Sequence, residues 1–230
     1  LGTWLGSAVT GDLGNSLYSG RPVLSSIVAR LEPTLVLTSM SLMLAMLLGV
    51  IAGVASAVFR NTILDQSVLV VSLFAAAMPN FWLGINLILL FSVTLGLFPV
   101  AGYRPLSDGV FATMHSLALP ALALGLSQAA IITRMTRTSM LEVLGLDYVR
   151  TARAKGQRRS KIVFRHALRN ALVSIVTVIG VSATSLLSGS IVVESVFSLP
   201  GLGRLKVEGV QRPEYPVIQG MIVFVSAVNV

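Results

Sequence analysis

An all-α integral membrane fold is what this sequence predicts, and three observations carry the prediction. Hydrophobic residues make up 54% of the 230 and charged residues only 11%, at a mean hydropathy of +0.85. A soluble domain carries roughly 25% charged residues, and this chain would lack the polar side chains to cover a soluble surface. The run Thr34–Val58 contains no charge at all and is long enough to cross a hydrocarbon core of roughly 30 Å. The net charge of +8 sits in one place. Between Arg134 and Arg169 lie ten cations against Glu142 and Asp147, whereas the cations and carboxylates elsewhere balance.

Five hydrophobic segments follow in order. Thr34–Val58 is the first, and its Gly49 and Gly53 form a GxxxG pair that permits close helix approach. The second runs from about Ser67 to Leu97 and contains Pro79 within MPNFWLGIN. Proline removes a backbone donor and kinks a helix there, and the freed carbonyl needs another partner in lipid. Asn80, Trp82 and Asn86 cluster at that kink. They read either as packed side chains or as part of a translocation pathway, together with Ser127 and Gln128 of the third segment. That third segment is about Ser116–Thr133, with Pro120 near its start, where proline is tolerated. The fourth is about Ala171–Val193. The fifth, Val217–Val230, covers roughly 21 Å and reads as the beginning of a longer span.

By the positive-inside rule the basic window faces the cytoplasm. Counting spans then places Leu1–Pro33, Phe98–His115 and Glu194–Pro216 outside and Phe59–Gln66 inside. The first residue is Leu1, and a cytoplasmic start would need one more helix before it. The domain reading is therefore an extracytoplasmic or interfacial segment 1–33, then a transmembrane domain 34–230 with a cytoplasmic loop at about 134–169. GDLGNSLYSGRPV and ESVFSLPGLGRL are expected as loops or short interfacial helices.

Several chemistries have no residues to carry them. There is no cysteine, so disulfides, thiolate chemistry and Cys-type zinc sites are excluded. No GxxxxGK[ST], HExxH or GxSxG occurs. His115 and His166 read as polar residues at a membrane boundary. The interiors of the five segments, as bounded here, contain no ionisable group. Proton-driven carriers keep such groups at membrane depth, so the energy is expected from outside the spans. No metal is expected.

The basic window also has internal order. Asp147 can cap a helix start, Tyr148–Lys155 is composed of good helix formers, and Gly156 is placed to end the helix in a left-handed conformation. A second helical run from about Ser160 to Asn170 leads into the fourth segment. Four roles compete for this element: a topology signal, contact with anionic lipid headgroups, nucleic-acid binding, and docking of a cytoplasmic partner. Nucleic-acid binding would need a soluble or tethered domain with base-reading groups. Docking explains most, because a short helix fixed between two spans transmits a partner's motion as a rigid body.

YVRTARAKG followed by HALRNAL resembles the cytoplasmic loop of permease subunits in bacterial ABC importers of the dipeptide, oligopeptide and nickel group. GDLGNS with a following PV, PTLVLT, MPNFWLG, LFPVAGY, LPALALG, VVESVFSLPGLGRL and YPVIQG resemble that group in the same order, across essentially the whole chain. The resemblance implies a type I importer transmembrane domain with six spans, five of them visible. It implies residence in the bacterial cytoplasmic membrane, a second homologous permease, two ATPase subunits that hold ATP and Mg, and an external substrate-binding protein. This chain would be no enzyme and would hold no cofactor. Coupling to the ATPases is expected at Tyr148, Arg150, Thr151, Ala152, Arg153, Lys155 and Gly156. The wider family begins this loop with Glu-Ala-Ala, where Arg150, Thr151 and Ala152 stand here, as is characteristic of the peptide group. Ser174 stands where the group usually has proline. Peptides lead as substrate, with nickel complexes, glutathione and oligosaccharides open. A membrane-embedded enzyme, a passive channel and a structural subunit are the rival classes. The enzyme would need a cluster of titratable groups, and the channel would work without nucleotide.

Overall fold

With hydrocarbon-rich side chains on nearly every turn, the backbone satisfies its own hydrogen bonds within helices. The computed structural model describes residues 13–18 and 20–229. Residues 1–12 of the predicted external segment, including the Gly11-Asp12 start of GDLGNS, lie outside the described residues. Among the described residues the α-helices are α1 (Val23–Val58), α2 (Ile63–Ala77), α3 (Asn80–Leu87), α4 (Val110–Leu144), α5 (Asp147–Ala154), α6 (Arg159–Val196), α7 (Leu202–Gln211) and α8 (Tyr215–Asn229). Among the described residues there is no strand, only an isolated bridge between Asn15 and Pro22.

Several boundaries differ from the sequence reading, and in each case a helix runs past the end of the apolar run. α1 begins at Val23, so the expected boundary at residue 33 falls inside a helix that continues through Pro33. α4 begins at Val110, placing Pro120 in its interior rather than near its start, and it ends at Leu144. Arg134 and Arg137 are therefore helical, and the basic loop is shorter than the window 134–169. α6 starts at Arg159 and carries a π-helical turn at Ile162–Leu168. Ser174 lies in its regular part. Helical hydrogen bonding does not stop where hydropathy does, because charged residues at helix ends can reach water.

The second apolar segment is not one rod. α2 and the helix Asn80–Thr94 meet at a bend of 102° across Met78 and Pro79. α3 continues into a π-helical stretch at Ile88–Thr94. Pro79 supplies the break expected of it. Among the described residues three helices, α1, α4 and α6, are long and apolar enough to cross a membrane, and the bent pair gives a fourth candidate. α8 is a shorter apolar helix.

The chain divides into two compact units. One comprises Leu1–Thr38, Gly84–Pro120 and Leu187–Val230, and the other Ser39–Leu83 and Ala121–Leu186. In the first, the described core is built by Val23, Ile27, Leu202, Leu205, Val217 and Met221. In the second, Val54, Met140, Val163, Ala167, Ala171 and Ile175 form one cluster, and Ala45, Ala129 and Ile132 another.

In that second unit the GxxxG pair does what its spacing suggested. A Cβ on Gly49 would stand 2.7 Å from Ile132 Cβ, and one on Gly53 would stand 2.5 Å from Thr136 Cβ. Gly125, on α4, faces the Ser41 carbonyl oxygen at 2.9 Å from its would-be Cβ. α1 and α4 thus approach backbone to backbone, a contact that any side chain at these positions would push apart.

Candidate coupling site and two buried polar nodes

The helix α5 spans Asp147–Ala154, as the sequence reading placed it to within one residue. Its N-cap is Leu146, with no side-chain cap bond. Asp147 therefore does not cap; it lies in the first turn and pairs with Arg150 at 3.3 Å, both side chains largely exposed. Such an exposed pair contributes little, but a carboxylate in the first turn suits the helix dipole. The other end follows the glycine rule. Gly156 has φ of +75°; its N–H donates to the Arg153 carbonyl at 3.0 Å and the Gln157 N–H to the Ala152 carbonyl at 3.2 Å. Those two bonds are a Schellman closure, which needs a left-handed residue at that position.

α5 is amphipathic. Val149 and Ala152 are buried, whereas Arg150, Thr151, Arg153 and Lys155 are exposed. Tyr148 fastens the helix to α6: Asn170 Nδ2 donates to its hydroxyl at 2.6 Å. His166 Nε2 lies 2.8 Å from Gln157 Oε1, so the expected boundary histidine braces the turn after Gly156. The seven residues named for coupling thus fall on one short helix and its cap, with a cationic outer face.

The residues named for a pathway are more dispersed. Trp82 and Asn86 lie one turn apart on α3 and are exposed, and Asn80 opens that helix half-buried. Ser127 and Gln128 are half-buried on α4, where the Ser127 hydroxyl donates to the Leu124 carbonyl at 3.0 Å. The two sets stay on separate elements. His115 Nε2 sits 3.0 Å from the Leu97 carbonyl, with its ring stacked on Phe98.

Two carboxylates expected in loops are instead buried in helices. Asp65 belongs to the first turn of α2 and is 2% exposed. Arg137 of α4 grips it through both oxygens, at 2.8 and 2.9 Å. Ser56 donates its hydroxyl to the same carboxylate, and the Asn61 N–H does so at 2.9 Å. Glu194, expected in an external loop, is fully buried in α6. It accepts from Thr34 Oγ1 at 2.8 Å, Ser190 Oγ at 3.0 Å and the Arg204 N–H at 3.1 Å. Thr34 Oγ1 in turn accepts the Leu202 N–H at 2.8 Å. Gly201 and Gly203 make room: a Cβ at either would run into the Glu194 carboxylate. The Gly-Leu-Gly of the sequence is a cradle for a side chain, not for a ligand. Burying the two carboxyl groups is tolerated because every oxygen is engaged.

Sequence reasoning missed both nodes because hydropathy windows end at a charge. A usable signal was present at Glu194, where Ser190 precedes it by one helical turn and Gly201 and Gly203 follow.

Outside the spans, Glu208 of α7 accepts from Arg30 at 2.8 Å and Arg204 at 3.0 Å. Burial alone would raise its carboxyl, but the two guanidinium groups outweigh burial and hold it below the ordinary range. Burial, and then the Glu32 carboxylate that accepts its hydroxyl at 2.7 Å, push the Tyr103 phenol well above its usual value.

Comparison with known proteins supplies the frame for this geometry. Residues 45–230 match the family described as binding-protein-dependent transport system inner membrane component. A putative peptide transport system permease protein of Brucella suis is 43% identical over 100% of this chain and 74% of its own length. The oligopeptide transport system permease protein AppB of Bacillus subtilis is 44% identical, covering 99% of this chain and 72% of that protein. The dipeptide transport system permease protein DppB of Escherichia coli is 43% identical, over 94% and 70%. The fold is similar to that of the inward-facing MetNI methionine ABC transporter. That likeness has a TM-score of 0.71 at 21% identity, covering 88% of each chain.

Proposed function

From the premise that the chain belongs to the family of binding-protein-dependent transport system inner membrane components, we propose that it carries peptides and is driven through α5. The coarser statement needs no proposal. The chain is an all-helical permease subunit of a binding-protein-dependent ABC importer and not an enzyme. Its family implies ATPase and binding-protein partners and an inner-membrane location.

The peptide assignment rests on the names of relatives that match over nearly all of this chain, AppB and DppB among them. A glutathione transport system permease protein, GsiC, is also 44% identical over 97% of the chain. Glutathione is itself a modified tripeptide, so both belong to one chemical class.

In this reading the basic window faces the cytoplasm and α5 seats on one of two ATPase subunits. ATP and Mg are held there, and a second homologous permease completes the pathway. ATP binding closes the ATPases, α5 moves with its partner, and the spans rock between inward-open and outward-open states. Tyr148, Arg150, Thr151, Ala152, Arg153, Lys155 and Gly156 form the contact. Arg150 and Arg153, neighbours at i and i+3, present charge to acidic groups on the ATPase. Asn80, Trp82, Asn86, Ser127 and Gln128 line the route of the peptide. The observation that supports the coupling role is the rigid closure at Gly156, which fixes a cationic helix between α4 and α6.

Gly156→Val tests it in the full-length, fully assembled transporter reconstituted with its binding protein. Nothing lies within 4 Å of a Cβ built at Gly156, so the substitution adds backbone strain without a clash. Membrane insertion is expected to persist, while uptake of a labelled dipeptide and stimulation of ATP hydrolysis fall together. Gly156→Asn, which tolerates the left-handed region, retains most of both. Full dipeptide uptake by the valine variant refutes coupling through α5. Uptake of no peptide by the unaltered assembly refutes the substrate class.

A further inference from the structure

Arg60, Arg153 and Arg159 line one cleft of about 620 Å³, with Gln157 beside them and no carboxylate in the lining. None of the ion pairs among the described residues uses any of the three. Next to the cleft lies a groove of about 600 Å³ between α1 and α6, whose only polar lining residues are Arg159 and Ser160. Cleft and groove share Val58, Arg159 and Val163, so the two adjoin. Ile51, Phe59 and Phe164 line the groove and stay 61%, 46% and 62% exposed.

Arg159 is fixed at the seam. Its Nη2 donates to the Val58 carbonyl at 2.6 Å, and its guanidinium stands 5.4 Å over the Phe59 ring. The carbonyl and the aromatic face hold the charge at the mouth of an apolar trough. A charge cluster without counter-ions favours an anion, and a trough walled by Val, Ile and Phe favours hydrocarbon. Only a molecule with both parts satisfies the two together. Free phosphate would fill the cleft and leave the groove bare. An acidic protein segment would answer the arginines, but the groove wall is the apolar end of α1, a helix long and hydrophobic enough to cross a membrane.

We propose that this cleft and groove hold one anionic phospholipid. Its phosphate lies between Arg60 and Arg159, Arg153 being kept for the ATPase contact, and an acyl chain runs along α1 past Ile51 and Phe164. Arginine forks suit phosphate oxygens, and a cationic pocket at a membrane boundary is a recurrent headgroup site.

The test uses the full-length, assembled transporter in nanodiscs of equimolar phosphatidylglycerol and phosphatidylcholine, with retained lipid counted by native mass spectrometry. Phosphatidylglycerol is expected to be kept over phosphatidylcholine by about tenfold, and Arg60→Gln to lower that preference about fivefold. Ile51→Trp fills the groove and removes the retained lipid while the arginines remain. Added inorganic phosphate changes none of these. Size-exclusion profiles matching the unaltered assembly verify that both variants fold. Equal retention of the two lipids, an unchanged preference in Arg60→Gln, or displacement by inorganic phosphate overturns the proposal. So does efficient cross-linking of Arg60→Cys to an ATPase subunit in the intact assembly, which would assign the cleft to a protein.

Discussion

Glu194→Ala withdraws one acceptor from three donors at once. The Thr34 and Ser190 hydroxyls, at 2.8 and 3.0 Å, can each rotate toward a backbone carbonyl, as Ser190 already does toward Leu187 at 3.3 Å. Each then loses about 1 kcal/mol. The Arg204 N–H, at 3.1 Å, is fixed by the backbone of α7; stranding it costs about 1–3 kcal/mol. The total is about 3–5 kcal/mol. The loss is local, because these bonds tie the start of α7 to α1 and α6. Since 1.4 kcal/mol is tenfold, amide exchange at Leu202 and Arg204 should accelerate by at least about 100-fold. Hydrogen exchange with mass spectrometry on the full-length protein in nanodiscs reads this directly. Glu194→Gln keeps an oxygen for the hydroxyls and should lie between the two. Unchanged protection across Leu202–Gln211 in the alanine variant would show that the carboxylate does not hold α7, and the reasoning would fail.

Other consequences are as direct. Asp65→Ala leaves the Arg137 guanidinium facing a vacated, buried partner and should cost about 3–5 kcal/mol; Asp65→Leu combined with Arg137→Met should cost less than the two single changes added, as a thermal-unfolding double-mutant cycle would measure. Gly53→Leu should separate α1 from α4 and abolish a monodisperse assembly in size-exclusion chromatography, while Leu47→Ala, on an exposed face of α1, leaves it intact. For Glu208 the sign follows from its depressed carboxyl: the contribution of its pairs with Arg30 and Arg204 is complete above the ordinary glutamate value and is lost as pH falls through the lower folded value. Exchange protection of α7 should thus decline on acidification below that ordinary value, and Arg30→Met should remove part of the decline.

What could be read from the sequence was what short-range physics decides. Hydropathy marked the long apolar helices, because lipid accepts a backbone only when its hydrogen bonds are closed within the segment. Pro79 marked the break between α2 and α3, and Gly156 marked the end of α5, since each acts through its own φ or missing donor. GxxxG marked a close approach but not its partner, which is Ile132 and Thr136 of α4.

The two buried nodes belonged to the tertiary structure. Asp65 meets Arg137 across 72 residues and Glu194 meets Thr34 across 160. A carboxylate standing at the edge of an apolar run looks like a loop residue until the donors that neutralise it arrive from elsewhere. The sequence by itself determined that the chain forms membrane-length helices with a cationic, glycine-ended helix between two of them. Only the folded chain decided which charges are buried, because burying a charge depends on partners that chain separation hides and spatial packing supplies.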